Sequence, residues 1–279
     1  MICVKIFCPF ASSEQCKEIY ERINYSSEFD FYGKDKKVYI TSDNDYTHAI
    51  IINTIMPYLT IPKKNVIGLA FEPIKFLNLT NEFKEYAKKH IGKYLIGDKI
   101  GLSKPFTEHF AYMWHSRPPK EITNKEKVMS IVVSTKRFAP GHIYRHELIE
   151  EIIKHKLPID IYGHGSSNYS YPSVKGKFED IEPYENYLFS ICIENFNSNH
   201  YFSEKIITPL LHNCMPIYNG CNNIDKYFND IIKLTGVLDE DILNLKTILN
   251  DPYKYYKTTY NKKNIKTVNL IENIETLFS

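Results

Sequence analysis

The segment LFSICIENFNSNHYFSEKIITPLLHNCMPIYNG, residues 188–220, opens and closes as a buried strand and crowds polar chemistry between the two. Leu188–Ile193 is an apolar run of strand length. Ser203 is a helix N-cap residue type placed ahead of an apolar-periodic stretch that runs to His212. Strand, loop, helix and strand in this order, with apolar strands that alternate no polar face, describe a parallel sheet covered on both sides. Ligands in such sheets bind at the carboxyl ends of strands, in the loops that lead into helices. The loop here, 194–202, carries Glu194, Asn195 and Tyr201, and the first helical turn adds Glu204 and Lys205. A cation in a first turn opposes the helix dipole unless an anion is also present, and a helix N-terminus with a lysine beside it is a general phosphate site. From spacing alone, Lys205 reads equally as a side chain whose stem lies over the core and whose head stays in water.

The same alternation of strand and helix patterns extends outward to both ends of the chain, which makes the fold α/β. Towards the N-terminus, Val128–Val133 is a strand, about 143–155 a helix and Ile159–Tyr162 a strand, so that two consecutive units build a Rossmann-like sheet. Further back lie the strands Val4–Cys8, His48–Asn53, Val66–Phe71 and Tyr94–Ile96, with helices opening at Ser12–Glu14 and spanning Asn81–His90. The intervening SRPPKEITNKE, residues 116–126, is polar, holds two adjacent prolines and has no apolar period, which places a boundary there. The expected organisation is residues 1–120 as one Rossmann-like domain, 121–262 as a second, and 263–279 as a C-terminal helix packing across the two. In that helix Ile265, Val268, Ile271, Ile274 and Leu277 keep helical spacing.

Composition narrows the function classes. At 279 residues the chain has room for two cores. No apolar run approaches the roughly 18–20 residues that span a bilayer, and MICVKIFCPF lacks the parts of a signal peptide, so a cytoplasmic location is expected. The six cysteines form no CxxC pair, and neither a zinc site nor a disulfide framework is expected. A formal net charge of +2, with the lysines scattered along the chain, argues against a nucleic-acid partner. There is no G-x-S-x-G elbow, H-E-x-x-H pair or Walker A loop to support a hydrolase or NTPase.

With these residues in place, CIENFNSNHYFSEKIITPLLHNCMPIYNG resembles the donor-binding motif of the α-1,3/1,4-fucosyltransferases, glycosyltransferase family ten. That motif runs roughly F-E-N, about seven residues, Y-V-T-E-K, a helix and P-[IV]-Y-W-G. The resemblance is ungapped over the motif and continues more weakly through IVVST, YRHELIEEI, IDIYGHG and PYENYLFS, across roughly residues 128–228. Ile193 stands where the motif has Phe, and Asn219 where it has Trp. The resemblance implies a GT-B architecture, two facing Rossmann-like domains with parallel sheets, the acceptor towards the N-terminal one and the donor in the C-terminal one. It implies an inverting, metal-independent glycosyltransferase that moves fucose from GDP-fucose to a glycan hydroxyl.

Carried over residue by residue, the resemblance makes Lys205 and Arg145 ligands of the donor diphosphate. Glu204 becomes a partner of donor hydroxyls, and Glu194, Asn195 and Tyr201 line the same pocket. Gly163 and His164 follow a strand and are candidates for the nucleotide. Inversion needs a base opposite the leaving group. Glu72, followed by Pro73 in GLAFEP, resembles the family's N-terminal carboxylate, and Glu108, His109 and His115 in FTEHFAYMWH are the rival bases or acceptor contacts. Asp43-Asn44-Asp45 has the form of a DxD metal motif but reads as turn chemistry. No cofactor or metal is expected. The partners expected are a nucleotide sugar and a glycan acceptor. The alternatives are a glycosyltransferase for another nucleotide sugar, which Asn219 leaves open, and a nucleotide-sugar-binding protein without turnover.

Overall fold

The computed structural model of the chain describes residues 1–24, 31–112, 124–179, 181–257 and 262–279. The chain divides into two compact units. Met1–Pro118, Ser198–Tyr201 and Lys266–Ser279 form the first, and Pro119–Asn197 with Phe202–Ile265 the second. The expected boundary near residue 120 lies outside the described residues, as does His115.

The first unit contains the strands β1 (Ile2–Phe7), β2 (Val38–Thr41), β3 (His48–Ile52), β4 (Val66–Leu69), β5 (Lys93–Ile96) and β6 (Phe106–Glu108), with helices α1 (Ser13–Asn24) and α2 (Asn81–His90). The sheet order is β2-β1-β3-β4-β5-β6, and every pair is parallel. α1 starts where the sequence indicates, because Ser12 and Gln15 cap one another: the Gln15 side chain accepts from the Ser12 N–H at 2.8 Å, and the Ser12 hydroxyl from the Gln15 N–H at 3.1 Å. Thr80 caps α2 by accepting from the Phe83 N–H at 3.1 Å. Val66, Phe83, Ala87, Ile91 and Tyr94 pack α2 onto the sheet in one buried cluster. The strand expected over Val66–Phe71 ends at Leu69. Beyond it the Phe71 N–H donates to the side chain of Asn53 at 2.9 Å, and Asn53 itself stands in the left-handed region at φ 55°.

The second unit contains β7 (Lys127–Val132), α3 (Pro140–Lys154), β8 (Asp160–Tyr162), β9 (Val174–Gly176), α4 (Glu182–Glu185), β10 (Tyr187–Ile193), α5 (Glu204–Leu211), β11 (Met215–Asn219), β12 (Ile232–Lys233), α6 (Leu238–Asn250) and α7 (Pro252–Tyr255). The sheet order is β12-β11-β10-β7-β8-β9, again with parallel pairs throughout. All seven residues of β10 are buried, as a central strand covered on both faces requires. β7 has β8 on one side and β10 on the other, so the order reverses between β7 and β10. This is the switch point at which α/β sheets open a crevice for ligand. α3 begins at Pro140, ahead of the expected start near residue 143, because proline suits a first helical position, where no N–H is needed.

The single C-terminal helix expected from periodicity is two helices, α8 (Lys262–Val268) and α9 (Leu270–Leu277). The Asn269 side chain accepts from the N–H groups of Ile271 and Glu272, at 2.9 and 3.3 Å, and starts the second helix afresh.

Candidate functional site

In the second unit the switch point gathers the segments singled out by the sequence. Both α3 and α5 start at the carboxyl end of β10. The N–H of Gly141, in the first turn of α3, donates to the Asn195 carbonyl at 3.0 Å, and a Cβ on Gly141 would stand 1.8 Å from the Glu194 carbonyl oxygen. Only glycine lets the helix start come this close. Ser203 caps α5, and its hydroxyl accepts from the Lys205 N–H at 3.4 Å. Two helix N-termini, each a partial positive charge, therefore lie at one strand end.

Arg145 and Lys205 add full charges to them. Arg145 is 6% exposed and its guanidinium donates to the Ile193 carbonyl, which ties α3 to the end of β10. Burial pulls its pKa down, against the opposing effect of Glu194. Lys205 keeps a quarter of its side chain exposed. Its ammonium lies 3.0 Å from the Ser203 hydroxyl, 3.1 Å from Glu204 and 3.5 Å from Glu194. Burial lowers its pKa and Arg145 repels it, but Glu204 and Glu194 outweigh both and hold it above the ordinary lysine value. Glu194 is completely buried. Its carboxylate accepts from the Ser203 N–H at 2.8 Å and from the Ser203 hydroxyl at 2.7 and 2.9 Å, while its own N–H donates to the Asn219 carbonyl at 2.8 Å.

Asn195 is half-buried beside His142, a residue the sequence reading does not single out. The His142 imidazole is buried and accepts from the Ala139 N–H at 3.4 Å through Nδ1. Burial, then Arg145, push its pKa down to about 4, with Lys136 and Lys205 acting in the same direction. The only sequence signal for it is its place in the first turn of α3.

Gly163 follows β8 at φ 103°, a conformation that favours glycine, and a Cβ there would meet the Val133 carbonyl oxygen at 2.3 Å. His164 beside it is exposed. Tyr201 is buried and belongs to the first unit.

In the first unit, Glu72 is half-buried just beyond β4, between the Phe71 backbone held by Asn53 and a short helical turn that opens after Pro73. Glu108 is exposed, accepts from the Lys99 N–H at 3.4 Å and lies 3.3 Å from His200. His109 Nδ1 donates to the Phe110 carbonyl at 2.9 Å, and burial lowers its pKa. Asp43 stands in the turn after β2 with its N–H on the Thr41 hydroxyl at 3.0 Å. Among the described residues no group of three or more His, Cys, Asp or Glu could hold a metal ion, and no helix is long and apolar enough to cross a membrane.

Residues 122–233 match the family described as glycosyltransferase family 10 (fucosyltransferase), C-terminal domain. A fucosyltransferase-like protein of Arabidopsis thaliana is 30% identical over 84 residues, which are 30% of this chain and 15% of that protein, so the chain spans only a small part of that curated relative. A solved α1,3-fucosyltransferase with GDP superposes with a TM-score of 0.58 at 13% identity, over 99% of this chain and 90% of the other. An α1,3-fucosyltransferase with GDP-fucose does so at 0.53 and 12%, over 100% and 90%. At such identities the superpositions speak for the fold, two parallel-sheet α/β domains of the GT-B glycosyltransferase kind. Residues 122–233, with the Arg145 and Lys205 switch point among them, thus match the C-terminal domain of glycosyltransferase family 10, and the fold of the chain is similar to that of the GT-B glycosyltransferases.

Proposed function

We propose that the chain is an inverting, metal-independent glycosyltransferase that moves fucose from GDP-fucose to a hydroxyl of a glycan acceptor. The observation that carries this reading is the meeting of Arg145 and Lys205 with the N-termini of α3 and α5 at the switch point of the second sheet. As the bond from the sugar's anomeric carbon to the diphosphate oxygen breaks, negative charge gathers on GDP. A fixed guanidinium and ammonium stabilise that charge in the transition state more than in the ground state, which is the condition for rate enhancement. The acceptor oxygen bonds to the anomeric carbon from the opposite face and gives its proton to a carboxylate. Glu72 is proposed for this role on its place just beyond β4, ahead of Pro73. Asn195, Glu204 and Tyr201 are proposed as further donor contacts, with Gly163 and His164 beside the nucleotide.

A second reading has one observation in its favour. Asn219, in place of the family's Trp, approaches the loop at Gly236, where its side-chain nitrogen would stand 3.4 Å from an added Cβ. A different nucleotide or sugar is then the donor. Thermal unfolding with GDP-fucose, GDP, UDP-sugars and dTDP-sugars separates the two. A ligand that binds only the folded protein at about 100 times its Kd adds about 2.7 kcal/mol, so GDP and GDP-fucose should raise Tm most. Stabilisation by UDP- or dTDP-sugars alone rejects the fucose assignment. Strict dependence of turnover on Mg²⁺ or Mn²⁺ after EDTA treatment rejects metal independence.

A further inference from the structure

Glu194 is clamped on every side. Its N–H is spent on the Asn219 carbonyl, its carbonyl is pressed by the start of α3 at Gly141, and its Cγ would lie 2.4 Å from any Cβ on Gly220. None of its surface is exposed. Both carboxylate oxygens face Ser203. A serine hydroxyl has one hydrogen and two lone pairs. With the hydrogen directed to Glu194, the lone pairs are left for the Lys205 ammonium at 3.0 Å and the Lys205 N–H at 3.4 Å. The orientation of this one hydroxyl, set by the carboxylate, thus serves both the cap of α5 and the ammonium beside it, which Glu194 also meets directly at 3.5 Å and Glu204 at 3.1 Å.

We infer that Glu194 is a positioning residue: through the Ser203 hydroxyl and its own ion pair with Lys205 it aims that ammonium at the anion-binding end of α5, and it makes no contact with the donor itself. The inference rests on the reading of Lys205 as a diphosphate ligand. It differs from plain electrostatics in sign. A carboxylate that merely lies near a diphosphate repels it, so removing its charge would strengthen binding. A carboxylate that aims the cation weakens binding when it is neutralised.

The test is a double-mutant cycle on E194Q and K205A, read by calorimetric titration of GDP and, free of any nucleobase effect, inorganic pyrophosphate. A charge-assisted contact that loses its geometry should weaken both probes about tenfold in E194Q and about tenfold or more in K205A. The double variant should match K205A within about twofold, because residues acting through one contact are not additive. E194D, which keeps the charge, should recover part of the loss, and it replaces E194Q in the cycle if that variant does not fold. Equal or tighter binding by E194Q overturns the inference, as does a double variant that loses the product of the two single effects. Wild-type protein that binds neither probe overturns the donor reading and the inference with it.

Discussion

A Cβ added to Gly220 would stand 2.4 Å from Cγ of Glu194 and 2.5 Å from the hydroxyl oxygen of Tyr218. The residue after β11 thus has no side chain because the one after β10 is folded beneath it. Gly220→Ala forces Glu194 out of place, since the Tyr218 hydroxyl is held by the Cys221 N–H at 2.9 Å and cannot yield freely. Overpacking of this kind costs about 1–3 kcal/mol. The urea midpoint of Gly220→Ala should fall accordingly, and GDP affinity should fall with it. Unchanged affinity in a destabilised variant would separate Gly220 from the site.

The sequence makes this region partly legible. β10 reads as a buried strand because its apolar run has no polar face, and Ser203 reads as a cap because its residue type and the periodicity after it agree. Lys205 acquires a meaning from its place in a first helical turn. Arg145 does not, since an arginine inside an amphipathic helix is unremarkable until α3 is seen to start against β10. His142, Gly141 and Gly220 take their roles from approaches between segments distant in the chain, which no local pattern records. The break at Asn269 was hidden for a different reason. Apolar spacing from Ile265 to Leu277 tracks side chains, whereas the break lies in backbone hydrogen bonds that Asn269 intercepts.

Arg145→Lys keeps the charge and loses the planar fork. Its guanidinium spends one arm on the Ile193 carbonyl, and a lysine ammonium cannot hold that carbonyl and reach a phosphate in the same way. Removal of one preorganised donor costs about 10²–10³ in kcat. Arg145→Lys should therefore lose that order in kcat with GDP-fucose while its Kd for GDP rises less. A larger effect on GDP binding than on turnover would assign Arg145 to ground-state binding.

His142 should make stability depend on acid. Its pKa falls from the ordinary 6.5 to about 4, through burial first and Arg145 next. The unfolded chain therefore binds the proton more readily than the folded one between pH 6.5 and pH 4. The stabilisation, up to about 3 kcal/mol, is complete above the unfolded pKa and is lost as pH falls through this window. His142→Asn cannot titrate there, so its unfolding free energy should fall less between pH 6.5 and 4 than that of the wild type. Urea denaturation at a series of pH values measures the difference, and parallel curves would show that His142 does not titrate as its surroundings imply.

Glu72→Gln tests the proposed base. The carboxylate follows a backbone segment fixed by the Asn53 side chain at Phe71 and precedes Pro73, where φ is −64°. The backbone on either side of Glu72 is thus held, and glutamine has nearly the same size and shape as glutamate. What is lost is basicity. A positioned general base is worth about 10²–10⁴ in rate, so turnover with GDP-fucose should fall by that order. GDP affinity should hold within about twofold, because the proposed donor cations, Arg145 and Lys205, belong to other segments. Near-normal turnover would move the role to Glu108 or His109, or to His115. Equal losses of GDP affinity and rate would make Glu72 a structural or donor-holding residue. Wild-type protein that binds GDP tightly yet turns over no nucleotide sugar would establish binding without catalysis.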